Sequence, residues 1–281
     1  MHRIARTGAA LAAVGLTLAA CSSGGDSGSG STEGGSNDAG TLTVGIKFDQ
    51  PGLGLQEGGD YTGFDVDVAR YIAEQLGYSA DQVEFREAPS AQRENLLSNG
   101  QVDLIVATYS ITDERKQTVD FAGPYFVAGQ DLLVAADSDI SGPEDLDGSL
   151  LCSVTGSTPA QRIKDEYAGE VQLQEFDGYS ECVEALAAGT IDAVTTDDII
   201  LAGFAAQDAY AGKLKVVGNP FSDEQYGVGL PKDSDLCQEV TDAITSMIDD
   251  GTWQELLDKN LGDANYTPNA DLNPPTPDAC G

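Results

Sequence analysis

Apolar residues along positions 41–262 follow two periods in turn. Thr41–Ile46 (TLTVGI) is a β-rich opening that Asp49-Gln50-Pro51-Gly52 ends. Phe64, Val68, Ile72 and Leu76 then recur every fourth residue, one face of a helix, and Gly77 stands where a C-terminal glycine belongs. Val83-Glu84-Phe85 reads as a strand. Ser90 is placed to N-cap a short helix through Leu97 that stops at Gly100, and Val102–Ala107 has the length of a buried strand. Strand, helix, strand, helix, strand predicts parallel pairing with right-handed crossovers.

The pattern then repeats. Leu150–Val154 is a strand, and Gly156-Ser157-Thr158-Pro159 turns into a helix with Thr158 as N-cap and Pro159 at the first helical position. Val171-Gln172-Leu173 is a strand, Ser180–Ala188 a helix closed by Gly189, and Ile191–Val194 a strand leading into Asp197-Asp198. "LLSNGQVDLIVAT" in the first half is echoed by "ALAAGTIDAVTT" in the second. Two α/β lobes of related plan fit this better than one continuous sheet. The end is helical: Asp235 starts a helix through Ile248, and Thr252 and Glu255 have the spacing of a capping box for Trp253–Leu261.

The first forty residues differ in kind. His2, Arg3 and Arg6 precede a short alanine-rich apolar run to Ala20, too short and weak for a spanning helix of roughly 20 strongly apolar residues. A secretion signal over 1–20 is the better reading. Residues 22–40 (SSGGDSGSGSTEGGSNDAG) hold too little apolar surface to offset chain entropy and read as a flexible tether. About 240 residues remain, enough for two lobes of ordinary size.

Charge and cysteine content narrow the function. Against 47 Asp and Glu stand 14 Lys and Arg, a net charge of −33. Acid spread along the whole chain argues against a nucleic-acid partner, whose phosphates it would repel, and suits solubility in a salty exterior. A small anion finds a site only where the few cations converge. The only histidine, His2, lies in the signal, which removes the Ser-His and Cys-His nucleophile arrangements and the commonest general base. No cofactor and no metal are expected: there is no CxxC or His-rich spacing. Cys152, Cys182, Cys237 and Cys280 suggest two disulfides in an oxidising compartment. Of three possible connectivities, Cys152–Cys182 with Cys237–Cys280 keeps each bridge within a region that forms without the other.

Leu18-Ala19-Ala20-Cys21 resembles the lipobox of bacterial lipoproteins, in which the cysteine thiol is acylated and becomes the new N-terminus. Five further segments resemble the extracellular solute-binding proteins of polar amino-acid ABC importers (family 3): "YTGFDVDVARYIAEQLG" at 61–77, "ATYSITDERKQTVDFAGPYF" at 107–126, "TGSTPAQ" at 155–161, "ECVEALAAGTIDAVTTDD" at 181–198 and "DDGTWQELLDKNLG" at 249–262. "KFDQPG" and "TTDDIILAG" are most similar to the glutamate/aspartate branch. The resemblance implies an α/β, two-lobed periplasmic-binding-protein-like fold (type II) with the ligand in the inter-lobe cleft. It implies crossings near Leu132-Leu133-Val134 and Tyr226-Gly227-Val228, hence lobe 1 over 41–132 and 228–281 and lobe 2 over 133–227. It also implies a monomeric, lipid-anchored binding protein on the outer face of the cell membrane. Such a protein captures an acidic amino acid, L-glutamate first, and delivers it to an ABC permease and ATPase complex. Glutamine or aspartate binding, or a sensor for a signalling partner, are the alternatives. An enzyme on the same fold would need an acid or base beyond the ligand clamps, and none is found.

The resemblance also assigns residues. Arg115 occupies the place of the family's α-carboxylate arginine, a role its planar guanidinium suits. Thr108 and Ser110 flank it on one side of an extended segment. Thr158, at a helix start across the cleft, offers its hydroxyl and free N–H groups. Asp197 takes the ammonium and Asp198 has a structural role. Lys47 and Arg93 match basic positions of the glutamate/aspartate branch. Three converging cations in so acidic a chain point to a dianionic ligand. Phe48 flanks the ligand stem. Tyr179 stands where that branch can carry a histidine, which leaves aspartate against glutamate open.

Overall fold

The structure is a computed structural model that describes residues 40–167, 169 and 171–280. The expected signal, the acylated Cys21 and the tether up to residue 39 lie outside the described residues. The chain opens with β1 (Leu42–Ile46), then a small antiparallel sheet of β2 (Asp49–Gln50), β3 (Gly54–Glu57) and β4 (Asp60–Thr62). Next come α1 (Phe64–Gln75), β5 (Val83–Glu87), a 3₁₀ turn over Ser90–Gln92, α2 (Arg93–Ser98) and β6 (Leu104–Ile105). The long β7 (Val119–Ala128) passes through Gly129 directly into β8 (Gln130–Ala135). The second lobe continues with β9 (Leu150–Val154), α3 (Thr158–Glu166), β10 (Gln172–Phe176), α4 (Tyr179–Ala187), β11 (Ala193–Asp197), α5 (Asp198–Ala205) and β12 (Leu214–Val216). Then β13 (Glu224–Pro231) returns, followed by α6 (Cys237–Asp249) and α7 (Thr252–Leu261).

Two five-stranded sheets result, ordered β5-β1-β6-β13-β7 and β10-β9-β11-β8-β12. Within each, the strands joined by helices pair in parallel, β1 with β5 and β6, β9 with β10 and β11. The strands that link the sheets pair antiparallel: β13 with β6 and β7, β8 with β11 and β12. The parallel expectation therefore holds for the βαβ units and not for the linking strands. A strand that arrives from the other lobe enters without a crossover helix, so antiparallel pairing is open to it. The sheets change hands at Gly129 and between β12 and β13, so Leu132–Val134 lie inside the second sheet and Tyr226–Val228 inside the first.

The α1 periodicity gives a buried stripe of Phe64, Val68 and Ile72 against the first sheet. Phe126 of β7 stacks on Trp253 of α7 at 6.0 Å, and the indole N–H donates to the carbonyl of Tyr125 at 2.7 Å. Each such side chain, fully buried, contributes roughly 1.5–3 kcal/mol of transfer free energy. Both expected disulfides are present: Cys152–Cys182 ties β9 to α4, and Cys237–Cys280 ties the tail to α6.

Three local expectations are corrected. Ser157, not Thr158, caps α3, its Oγ accepting from Ala160 N at 3.1 Å, and Thr158 is the first helical residue. Ser90 is the first residue of the 3₁₀ turn and makes no cap bond. Thr252 opens α7 without a capping box. Gly251 is its N-cap, and Asp250 Oδ1 accepts from Thr252 N at 2.8 Å.

Candidate functional site

The first lobe presents two arginines around one aromatic ring. Arg93 opens α2 and is 3% exposed, and Arg115 opens a 3₁₀ turn over Arg115–Gln117. Their guanidinium carbons lie 5.0 and 4.9 Å from the centre of the Tyr109 ring, which holds both by cation–π attraction. The Tyr109 hydroxyl donates to Glu94 Oε1 at 2.7 Å, and the same oxygen lies 3.4 Å from Arg115 Nε. Arg115 Nη1 donates to Ser110 O at 2.7 Å and Nη2 to Gly156 O at 3.0 Å. The fork is thus fixed at three corners, with one N–H on each terminal nitrogen still free to meet a carboxylate. Burial, then the neighbouring Arg115 charge, lowers the Arg93 pKa. Two guanidiniums so crowded favour an anion between or beside them.

Thr108 stands next to this pair with φ 46°, a left-handed conformation that a β-branched residue adopts only when its surroundings impose it. The fully buried Asp65 supplies that constraint. Its Oδ2 accepts from Thr108 N and its Oδ1 from the Tyr125 hydroxyl, both at 2.8 Å. Burial raises the Asp65 carboxyl to about 6, moderated by those two bonds.

The second lobe faces these groups with three element termini. At the start of α3 the Thr158 hydroxyl lies 3.1 Å from that of Ser110, a contact between lobes. It is free to do so because Ser157 does the capping. Tyr179 begins α4, its phenol pushed up to about 12 by burial and then by the charge of Asp197. Asp197 ends β11. Its Oδ2 accepts from the Tyr226 hydroxyl, while its Oδ1 is buried without a hydrogen-bond partner among the described residues. Burial, and next the negative Glu224, raise its pKa well above the usual carboxylate range. Asp198 is spent on structure. Its Oδ1 accepts from Gly129 N and Ile199 N, and its Oδ2 from the Tyr266 hydroxyl.

Between the lobes is a narrow, polar-lined space walled among others by Arg93, Thr108, Ser110, Arg115, Thr158, Tyr179 and Asp197. Lys47 does not line it. Its ammonium is buried alongside, 6.0 Å from the Tyr179 ring centre and 3.8 Å from Asp49 Oδ1. Phe48 is not part of that lining and packs against Tyr61, with ring centres 5.2 Å apart and planes tilted by 47°. Ser90, Ser157, Thr196 and Ile200 also line the cavity without having been singled out. Thr196 carries a signal in its place beside Asp197, and its buried hydroxyl lies by the Tyr179 phenol. No group of three or more metal-ligating side chains occurs among the described residues, and none of their helices is long and apolar enough to cross a membrane.

Two α/β lobes linked by two strands, with cations on one wall and a carboxylate on the other, define a solute-binding protein of the type II periplasmic-binding class. The chain belongs to the bacterial extracellular solute-binding proteins, family 3, whose sequence model matches residues 42–263. It is 51% identical to the glutamate-binding protein GluB of Corynebacterium glutamicum, over 90% of this chain and 88% of that protein. It is 39% identical to the ABC transporter glutamine-binding protein GlnH of Bacillus subtilis, over 87% and 92% respectively. Among solved structures, an ancestral arginine-binding protein bound to glutamine superposes with a TM-score of 0.73 at 37% identity, covering 80% of this chain and 99% of that one.

Proposed function

We propose that the protein is the substrate-binding lipoprotein of an ABC importer and that its ligand is L-glutamate. The ligand α-carboxylate meets the free N–H groups of Arg115 with the hydroxyls of Ser110 and Thr158. The ammonium meets Asp197 Oδ1, and the side-chain carboxylate meets Arg93, with Lys47 behind it. Thr108 and Tyr179 complete the walls. The observation that carries this reading is the pairing of a buried, unpartnered carboxylate oxygen on one lobe with two arginines on the other. An α-amino acid with a second carboxylate answers both. The similarity to GluB points the same way. Closure follows from contacts that need both lobes, such as Arg115 to Gly156 O and Ser110 to Thr158. Acylation at Cys21, the tether behind it, a monomeric state and delivery to a membrane permease belong to the same proposal.

Glutamine is the second reading, favoured by the likeness to GlnH and to a neighbour bound to glutamine. Calorimetry of the mature protein against glutamate, aspartate, glutamine and asparagine separates the two. A lost charge-assisted contact costs roughly 1.5–3 kcal/mol, so glutamate should bind about tenfold or more tighter than glutamine. Equal or tighter binding of glutamine would overturn the dianion reading.

A further inference from the structure

Asp49 joins the two lobes beside Tyr179, which lines the space between them. It belongs to β2 of the first lobe, yet its Oδ2 accepts from the N–H and the hydroxyl of Ser180 at 3.2 and 3.3 Å, in the first turn of α4 of the second lobe. The N-cap of α4 is Gly178, which has no side chain to offer. The helix is therefore capped from across the cleft. The approach is tight: a Cβ on Gly178 would lie 2.5 Å from Asp49 Oδ2. The backbone of Gly178, at φ −132°, is one any residue adopts, so what a methyl there would displace is the Asp49 carboxylate. The other oxygen of Asp49 faces Lys47 at 3.8 Å. Lys47 is 2% exposed, and the charged groups acting on it are Asp49, Arg93 and Glu87, with the Tyr179 ring of α4 above it.

We propose that Asp49 is a positioning residue that latches the closed form: one oxygen caps α4 from the opposite lobe while the other keeps Lys47 charged for the ligand's distal carboxylate. The second half rests on the glutamate reading; the first does not. A contact made only after closure slows opening and leaves encounter untouched, so its signature is in the release rate. The Lys47 half has a different signature. Burial lowers that ammonium to about 8, and Asp49 is the first opposing influence. Without the carboxylate, Lys47 gives up its proton at lower pH.

The two halves separate by substitution, with release and association rates of glutamate and of glutamine measured by stopped flow. Asp49→Ala removes the cap, worth about 1 kcal/mol, and should speed release of both ligands about fivefold while association changes less than twofold. Asparagine caps as well as aspartate. Asp49→Asn should therefore release both ligands at a rate close to wild type, yet lose glutamate affinity on alkalinisation from a lower pH than wild type, with glutamine affinity flat. Gly178→Ala should speed release in the wild-type background and add nothing to Asp49→Ala. Unchanged release in Asp49→Ala, or additive effects of Asp49→Ala and Gly178→Ala, would overturn the latch. An unshifted pH profile in Asp49→Asn would overturn the Lys47 half. If the wild type binds glutamine and not glutamate, the glutamate reading fails, and the release rates measured with glutamine still decide for or against the latch.

Discussion

The hydroxyl of Tyr226 donates to Asp197 Oδ2 at 2.5 Å, so a strand of the first sheet orients the carboxylate assigned to the ligand ammonium in the second lobe. Tyr226 lies in β13 opposite Phe126 of β7 and is fully buried. The bond therefore ties the linking strands to the site and fixes which oxygen of Asp197 stays open. Tyr226→Phe leaves both oxygens of a buried carboxylate without a partner. The loss costs about 1–3 kcal/mol, so amino-acid affinity should fall between about fivefold and 150-fold. The Asp197 pKa should rise further, and the loss should deepen on acidification. Calorimetry at two pH values checks it, and an unchanged Kd would show that Asp197 is held without Tyr226.

Stability and affinity should respond to acid in opposite directions. Burial raises Asp65 to about 6, Asp197 well above the usual range, and Asp131 and Asp198 in the same sense. In each case the folded protein holds the proton more tightly than the unfolded chain. Between the two pKa values the native state then carries more protons, so stability is lost as pH rises through that window and regained as it falls. The exposed Asp145 and Asp250, held low mainly by Ser141 and Thr252, oppose this only at pH values below the usual carboxylate range. The ligand-free protein should melt a few degrees higher at pH 5 than at pH 7, at roughly 2–4 °C per kcal/mol for a chain of this size. With Asp197 proposed as the ammonium partner, binding needs it ionised, so glutamate affinity should weaken over the same step. Melting curves and calorimetry at the two pH values test both signs.

The two arginines should divide the ligand between them. Arg115→Ala leaves the α-carboxylate without its fork, and truncating a buried charge pair costs about 2–5 kcal/mol. Binding of every amino acid should collapse. Arg115→Lys should recover little, because a single ammonium cannot reproduce bonds to Ser110 O, Gly156 O and the ligand at once. Arg93→Ala should weaken glutamate by roughly 1.5–3 kcal/mol and glutamine far less. Affinities of the three variants for both ligands decide the matter. Equal losses for the two ligands in Arg93→Ala would place the distal carboxylate elsewhere.

Much of the fold is legible in the chain alone, and the exceptions have physical causes. The face of α1 and the strands β5, β9 and β11 follow from periodicity alone. Arg93, Ser110, Arg115 and Asp197 are assigned by the resemblance to the solute-binding family and not by local pattern: on the residues alone Arg115 reads as a surface partner of Asp113 or Glu114. The β2–β4 sheet left no pattern because two to four residues are too few for alternation. β7 was hidden because all ten of its residues are buried, so it never alternates. Phe48 follows β1 in a bend, where no alternation says which way its ring turns. Asp49 gave no local signal at all: what it caps is a glycine-led helix more than a hundred residues away, in the other lobe.

Ser157 and Thr158 show why a one-residue shift in a cap matters, and their substitution should separate stability from binding. Both are good N-cap residues, and Pro159 tolerates either register. The structure gives the cap to Ser157 and leaves the Thr158 hydroxyl beside Ser110 across the cleft. Ser157→Ala removes the bond to Ala160 N, a loss of about 1 kcal/mol, and should lower the melting temperature of the ligand-free protein by roughly 2–4 °C. Thr158→Val keeps shape and helix position and deletes only the hydroxyl. It should leave that melting temperature within about a degree, since the lost contact lies between lobes, while weakening glutamate by about 0.5–1.5 kcal/mol. Melting curves and calorimetry on the two variants give a crossed pattern if the assignment is right. A stability loss in Thr158→Val with none in Ser157→Ala would return the cap to Thr158.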